Sequence, residues 1–194
     1  MGSNLITVSG PPASGTSTLC DHIRDELGGN IVSGGEIFYQ LAEEHNMTPT
    51  EFSDLAEENP EYDKKIDGRI KSIIENHTNN ETEYDTLIVD SRLSGWHAED
   101  KADLRIYLKA PPSVRAQRID SRDETAEDVE KREQSERKRY MDYYDIDISD
   151  LSIYDLVIDT SQFSPSQVAD ISLLAVANCE DVNSNYNSMF IHLS

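Results

Sequence analysis

Leu5-Ile6-Thr7-Val8-Ser9-Gly10-Pro11-Pro12-Ala13-Ser14-Gly15-Thr16-Ser17-Thr18 is the stretch that decides the fold. Leu5 to Val8 is a short apolar run rich in β-branched residues, which predicts a buried strand. From Thr16 the spacing turns helical, with Leu19, Ile23 and Leu27 recurring every fourth residue until Gly28-Gly29 supplies a stop. Against the pattern G-x-x-x-x-G-K-[ST], Gly10, Gly15 and Ser17 fall in place, while Thr16 occupies the lysine position. Strand, glycine loop and helix N-terminus together aim backbone N–H groups and a helix dipole at one spot, and that spot suits a phosphate. The candidate nucleotide-binding residues are therefore Gly10, Pro11, Pro12, Ala13, Ser14, Gly15, Thr16, Ser17 and Thr18. Ser17 is the candidate Mg²⁺ ligand, and the Thr18 hydroxyl is placed to hydrogen-bond a phosphate oxygen. The missing lysine bears on phosphate transfer more than on binding, because backbone amides do most of the cradling.

Outward from this stretch, four more short apolar runs read as strands: Asn30–Ser33, Thr86–Asp90, Leu104–Leu108 and Leu156–Asp159. Each is rich in Val, Ile or Leu, as strands covered on both faces tend to be. Helical stretches separate them, and β-α-β-α alternation implies a five-stranded parallel sheet between two helical layers, a three-layer α/β/α arrangement. Thr48-Pro49-Thr50-Glu51 and Ser164-Pro165-Ser166-Gln167 each set a hydroxyl cap, a proline at the first helical position, and Glu or Gln two beyond it. The first opens an all-helical insertion between the second and third strands, and a charged insertion follows the fourth. The chain divides as a single domain over residues 1–179, with core segments 1–34, 84–120 and 150–179, insertions at 35–83 and 121–149, and a polar tail at 180–194.

Composition narrows the partners. There are 38 acids against 17 bases, a formal net charge of −21, and the acids are spread along the chain in pairs such as Glu43-Glu44 and Glu57-Glu58. An even acidic coat argues against a nucleic-acid surface and against an anionic membrane. At low salt such a charge repels itself, whereas about 1 M salt cuts the Debye length to about 3 Å. The coat thus points to the cytoplasm of a salt-accumulating organism. Cys20 and Cys179 are far apart and imply neither a disulfide framework nor a zinc site. No signal peptide or membrane-length apolar run is visible. The five histidines share no metal spacing, and surface positions are the default expectation for each.

Two further segments carry chemistry. Ala126 to Tyr144 reads as one helix in which Arg132, Glu136 and Arg139 share a face. One reading is a solvated face with weak i,i+4 pairs. The other is a lid that brings positive charge to a transferring phosphate, since Lys131, Arg132, Arg137, Lys138 and Arg139 gather here in a chain otherwise short of cations. Arg115, Arg118 and Arg122 precede it on the approach to the same place. The third strand ends Leu87-Ile88-Val89-Asp90-Ser91-Arg92, an apolar strand closing in a carboxylate suited to orienting Mg²⁺ and its waters, with Arg92 beside it for an acceptor phosphate.

These features together resemble the archaeal-type cytidylate kinases, within the P-loop nucleoside monophosphate kinase family, over about residues 4–178. The segments that carry the resemblance are Ile6–Leu19, Val32-Ser33-Gly34-Gly35-Glu36-Ile37-Phe38, Met47–Ala56, Ser91-Arg92-Leu93-Ser94-Gly95-Trp96, Ala102-Asp103-Leu104, Arg115-Ala116-Gln117-Arg118-Ile119, and the run from Arg132 to Ser161. The resemblance implies a P-loop NTPase fold with a helical insertion that clamps the acceptor nucleotide and a lid over the phosphates. It implies ATP-dependent, Mg²⁺-assisted phosphorylation of CMP and dCMP by a cytoplasmic monomer. By the same resemblance, Ser33, Glu36, Tyr39, Arg92, Gly95, Arg118, Arg132, Glu136 and Arg139 are substrate contacts. Arg132, Arg139, Arg92 and Asp90 carry the reaction, and Ser17 and Asp90 hold the metal. Tyr39 stands where the family pattern has Arg, and Asp90 where such relatives more often have Glu. A loop reading Gly-Thr-Thr is found in relatives of this type. Two other functions remain open at this point: a kinase for another small acceptor such as AMP, and a non-catalytic nucleotide-binding protein, which Thr16 motivates.

Overall fold

Five strands form one parallel sheet in the order β2-β3-β1-β4-β5: β1 (Asn4–Ser9), β2 (Asn30–Ser33), β3 (Thr86–Asp90), β4 (Leu104–Lys109) and β5 (Leu156–Asp159). The structure is a computed structural model and describes residues 4–119 and 126–179. Among the described residues eight α-helices connect or flank the strands: α1 (Thr16–Leu27), α2 (Gly34–Glu44), α3 (Pro49–Glu58), α4 (Glu61–Thr78), α5 (Ser94–Ala98), α6 (Pro112–Ile119), α7 (Ala126–Tyr144) and α8 (Pro165–Asn178). The tail expected at 180–194, and Arg122, lie outside the described residues.

Both faces are buried at the central strands β1 and β3, and strand alternation sorts their apolar side chains between the two faces. Ile6, Val8, Ile88, Ile106 and Leu108 pack with Leu19 and Ile23 of α1 and Val168 and Val176 of α8. Leu5, Leu87 and Val89 face the other way, onto Ile37, Phe52, Ile66, Ile70 and Ile74 of the helices between β2 and β3. This two-sided cover is why β1 and β3 read as continuous apolar runs.

Register places the functional edge. Val8 pairs with Asp90, and Ser33 pairs with Asp90 on the other side. The carboxyl ends of β1, β2 and β3 therefore finish side by side, where ligands of open parallel sheets bind. Thr48 and Ser164 each close a complete capping box, with Glu51 and Gln167 as reciprocal partners. Helix α7 lies against α3, and the Tyr143 hydroxyl donates to the Ala56 and Glu57 carbonyls at 3.2 and 2.9 Å.

The expectation of surface histidines is corrected at two positions. His77 is fully buried, its Nε2 donating to the Asn4 carbonyl at 2.9 Å and its ring stacked on Tyr84. His97 is buried against Asp67. A ring with two polar atoms survives burial when each atom finds a partner, and spacing alone does not reveal those partners.

Candidate active site

The loop after β1 is built as its glycines require. A Cβ at Gly10 would lie 2.5 Å from the Leu108 carbonyl oxygen, so only glycine lets the chain pass β4 there. Gly15 holds φ at +104° and opens α1 directly, with Leu19 N–H returning to its carbonyl at 3.0 Å. The first turn of α1 thereby points at the carboxyl edge of the sheet.

A cavity of about 300 Å³ opens from this loop between α2, α4 and α7. At its loop end Ser17 Oγ donates to Asp90 Oδ2 at 3.0 Å. Burial pushes the Asp90 carboxyl above the usual aspartate range, opposed by the Ser17 and Thr16 hydroxyls and the charge of Arg92. A desolvated carboxylate beside a hydroxyl is a hard-oxygen pair that gains from a divalent cation. Among the described residues no group of three or more His, Cys, Asp or Glu could hold a metal by itself. The pair therefore fits Mg²⁺, which is typically held by one or two carboxylates together with waters and substrate phosphates.

Arg92 crosses from the end of β3 to the loop. Its Nη1 donates to the Gly10 carbonyl, and its Nε lies 2.7 Å from Glu136 Oε2 on α7. Burial works against the charged guanidinium, but Glu136, Tyr140 and Glu133 together more than offset it and favour the protonated arginine. Arg139, one turn further along α7, turns to the far end of the cavity. It is buried, with Nε 2.7 Å from Asp63 Oδ2 and Nη1 donating to the Ser53 and Ser135 hydroxyls. Burial lifts Asp63 from the usual value near 3.8 to about 6, even with Arg139 beside it.

Of the substrate contacts expected from the resemblance, Ser33, Glu36, Tyr39, Arg92, Glu136 and Arg139 line this one cavity. Ser33 caps α2, its hydroxyl accepting from the Glu36 N–H at 3.2 Å. Gly95 is placed differently. A Cβ there would meet the Tyr154 ring at 2.7 Å, so this buried glycine lets α5 approach Tyr154 and does not line the cavity. Arg118 also lies apart, donating to the Ala13 and Ser14 carbonyls and to Thr160 on the outer side of the loop. The backbone of Arg132 belongs to α7, and its side chain lies outside the described residues.

Curated relatives match nearly end to end. The cytidylate kinase of Halorubrum lacusprofundi is 46% identical over 177 residues, covering 89% of this chain and 88% of its own. That of Halobacterium salinarum is 43% identical over the same length and coverage. The chain belongs to the cytidylate kinase family. The cytidylate kinase of Sulfolobus acidocaldarius, 43% identical over 173 residues, covers 87% of this chain and 91% of its own. A family profile described as an AAA domain matches residues 6–141. Shikimate kinase from Acinetobacter baumannii, solved with shikimate, superposes with a TM-score of 0.55 at 16% identity, covering 92% of this chain and 96% of that one. An uncharacterized protein from Eubacterium ventriosum superposes with 0.65 at 13% identity, covering 91% and 99%. These two share the fold. The halophilic sources of several relatives accord with the acid excess of this family member. No helix among the described residues is long and apolar enough to cross a membrane.

Residues that the sequence did not single out complete this cytidylate-kinase-family site. Asp63, Ile66, Asp67 and Ile70 present one face of α4 to the cavity, and Tyr140 joins them from α7. Their signal was a pair of acids four residues apart on the apolar stripe of a helix, among Ile66, Ile70 and Ile74. A second cavity of about 260 Å³ lies on the other side of the loop, bounded by Arg118, Thr160, Phe163, Pro165 and Val168.

Proposed function

We propose that the chain transfers the terminal phosphate of ATP to CMP and dCMP, with Mg²⁺. The observation that carries the reading is the convergence of the phosphate loop, the Ser17–Asp90 pair and Arg92 on one cavity, in a chain whose relatives are cytidylate kinases. Of the cavities that border the loop, two share Ala13, Gly15 and Thr18. In-line transfer needs donor and acceptor on opposite sides of the transferring group. The donor base belongs in the outer cavity, between the Arg118 guanidinium and the apolar Phe163, Pro165 and Val168. The acceptor nucleotide belongs in the cavity between α2, α4 and α7. On this reading segment 35–83 clamps the acceptor and segment 121–149 closes over the phosphates.

The chemistry asks little beyond placement and charge. An acceptor phosphate oxygen, already ionised at neutral pH, attacks as the bond to the departing diphosphate breaks, so no general base is required. Loop amides hold the donor phosphates. Ser17 and Asp90 would hold Mg²⁺, which would supply positive charge to the phosphates during transfer. Of the described arginines that donate to loop carbonyls, Arg92 is the one that lines the acceptor cavity, and it takes over the charge that Thr16 does not carry. Arg139 is engaged at the acceptor end. Arg132 is a second candidate from α7.

A coupled assay in molar KCl with CMP, dCMP, UMP and AMP as acceptors tests this function. Turnover with CMP and dCMP above the other two is expected. ATP binding with no turnover on any acceptor would instead favour the non-catalytic reading. Turnover highest with AMP would make the chain an adenylate-directed kinase.

A further inference from the structure

Asp67 has an unusual setting for an acid in this molecule. It sits on α4 with its side chain only 12% exposed, and its two oxygens accept from different helices. Oδ1 lies 2.8 Å from His97 Nε2 on α5, and Oδ2 accepts from the Tyr144 hydroxyl on α7 at 2.6 Å. No Lys or Arg pairs with it among the described residues, whereas Glu136 has Arg92 and Asp63 has Arg139. Its remaining lone pairs border the acceptor cavity.

Charge sorts the two ends of that cavity. A phosphate belongs with Arg92 and the loop, because Asp63 and Asp67 at the α4 end would repel it. What suits the α4 end is a neutral group that donates hydrogen bonds. Ile66, Phe38 and Tyr140 supply apolar and aromatic surface around the carboxylates, the setting for a flat heterocycle. Asp63 presents its Oδ1, which has no hydrogen bond among the described residues, since Arg139 is held on Oδ2.

We propose that Asp67, fixed by His97 and Tyr144, accepts a hydrogen bond from the exocyclic amine of the acceptor base and so selects cytosine over uracil. The proposal rests on the cytidylate kinase reading above. Cytosine offers an amine donor at the position where uracil offers a carbonyl acceptor, and a carboxylate can satisfy only the former. The bonds to His97 and Tyr144, the first buried and the second partly buried, stop the carboxylate from rotating away. A site built to accept a particular N–H rejects the analogue that lacks it far more strongly than an apolar pocket rejects a missing methylene. His97 and Tyr144 act through Asp67 and are positioning residues.

The test is kcat/KM for CMP and for UMP, measured on the full chain in molar KCl at saturating ATP and Mg²⁺, for wild type, Asp67→Asn, His97→Gln and Tyr144→Phe. In Asp67→Asn one carbonyl still accepts from a neighbour while the amide turns a donor toward the base. The CMP:UMP ratio is expected to fall at least about a hundredfold, with KM for CMP rising and KM for UMP falling. His97→Gln and Tyr144→Phe should shift the ratio the same way by about tenfold. Because both acceptors are measured on one preparation, a partly unfolded fraction cancels from the ratio. CMP turnover with an unchanged ratio in Asp67→Asn overturns the proposal and leaves the kinase reading intact. Should Asp67→Asn fail to fold, an unchanged ratio in both other variants overturns it. A wild type that turns over no CMP sinks the kinase reading instead.

Discussion

Arg92 Nε lies 2.7 Å from Glu136 Oε2, and the same guanidinium donates to the carbonyl of Gly10. One side chain thus links the end of β3, the phosphate loop and the middle of α7. Glu136, expected as a substrate contact, lines the acceptor cavity and also holds the arginine that stands beside the loop. Glu136→Gln keeps the shape and removes the charge, so Arg92 loses its ion pair but not its Gly10 anchor. We expect kcat to fall about ten- to hundredfold with KM for ATP little changed, measured by steady-state kinetics. An unchanged kcat would mean that α7 does not orient Arg92.

The Ser17–Asp90 pair makes a prediction about metal. Asp90→Asn removes the charged oxygen and keeps the hydrogen bond to Ser17. The Mg²⁺ concentration giving half-maximal rate should rise at least about tenfold, read from a Mg²⁺ titration at fixed ATP. The same titration curve in wild type and variant would remove Asp90 from the metal site.

Asp63 predicts a dependence of stability on pH. Its pKa in the folded chain is raised from about 3.8 to about 6 by burial, so the folded state holds this proton more tightly than the unfolded chain. The contribution of Asp63 to stability is therefore greatest below pH 3.8 and declines as pH rises toward 6, by about 3 kcal/mol. Other carboxylates work in the opposite sense, Asp155 among them, lowered by its bonds to Arg105 against a burial effect that raises it. The difference between wild type and Asp63→Asn isolates the Asp63 term. Denaturant unfolding of both in molar KCl should show wild type losing stability relative to the variant between pH 4 and 6, with a flat difference above. A difference that grows with pH across that window would contradict the burial-dominated reading of Asp63.

The acidic surface predicts a dependence on salt. With 38 acids against 17 bases, repulsion is long-ranged at about 0.01 M salt and confined to about 3 Å at 1 M. The Tm should rise between low and molar KCl by differential scanning fluorimetry. A fall would mean that pairs such as Arg92–Glu136 and Arg139–Asp63 dominate the electrostatic balance.

The sheet was legible because each strand carries its own short Val, Ile and Leu run, most completely in β1 and β3, which are covered on both faces. The caps at Thr48 and Ser164 were legible because a capping box is a local motif. Gly10, Gly15, Ser17 and Asp90 were legible because the loop and strand end have fixed spacing. What the sequence hid depends on contacts between distant segments. Asp63 and Asp67 look like acids straying onto the Ile66–Ile70–Ile74 stripe, and only Arg139, His97 and Tyr144, brought in from other helices, give them meaning. Gly95 was read as a substrate contact, but the Tyr154 ring explains its lack of a side chain. Arg118 was grouped with the other arginines by proximity in sequence, while the turn through α6 carries it to the outer side of the loop.

The lysine-free loop frames the last prediction. Thr16 places a hydroxyl, and not an ammonium, near Asp90, and Arg139 is committed to Asp63. Arg115 and Arg118 also donate to loop carbonyls but do not line the acceptor cavity, which among the described side chains leaves Arg92 as the loop-bonded arginine that does. The deciding measurement is kcat for Arg92→Ala at saturating ATP, Mg²⁺ and CMP in molar KCl. A loss of about a thousandfold or more, with ATP binding retained, is expected if Arg92 supplies the charge that a loop lysine would. A kcat equal to that of wild type would contradict it.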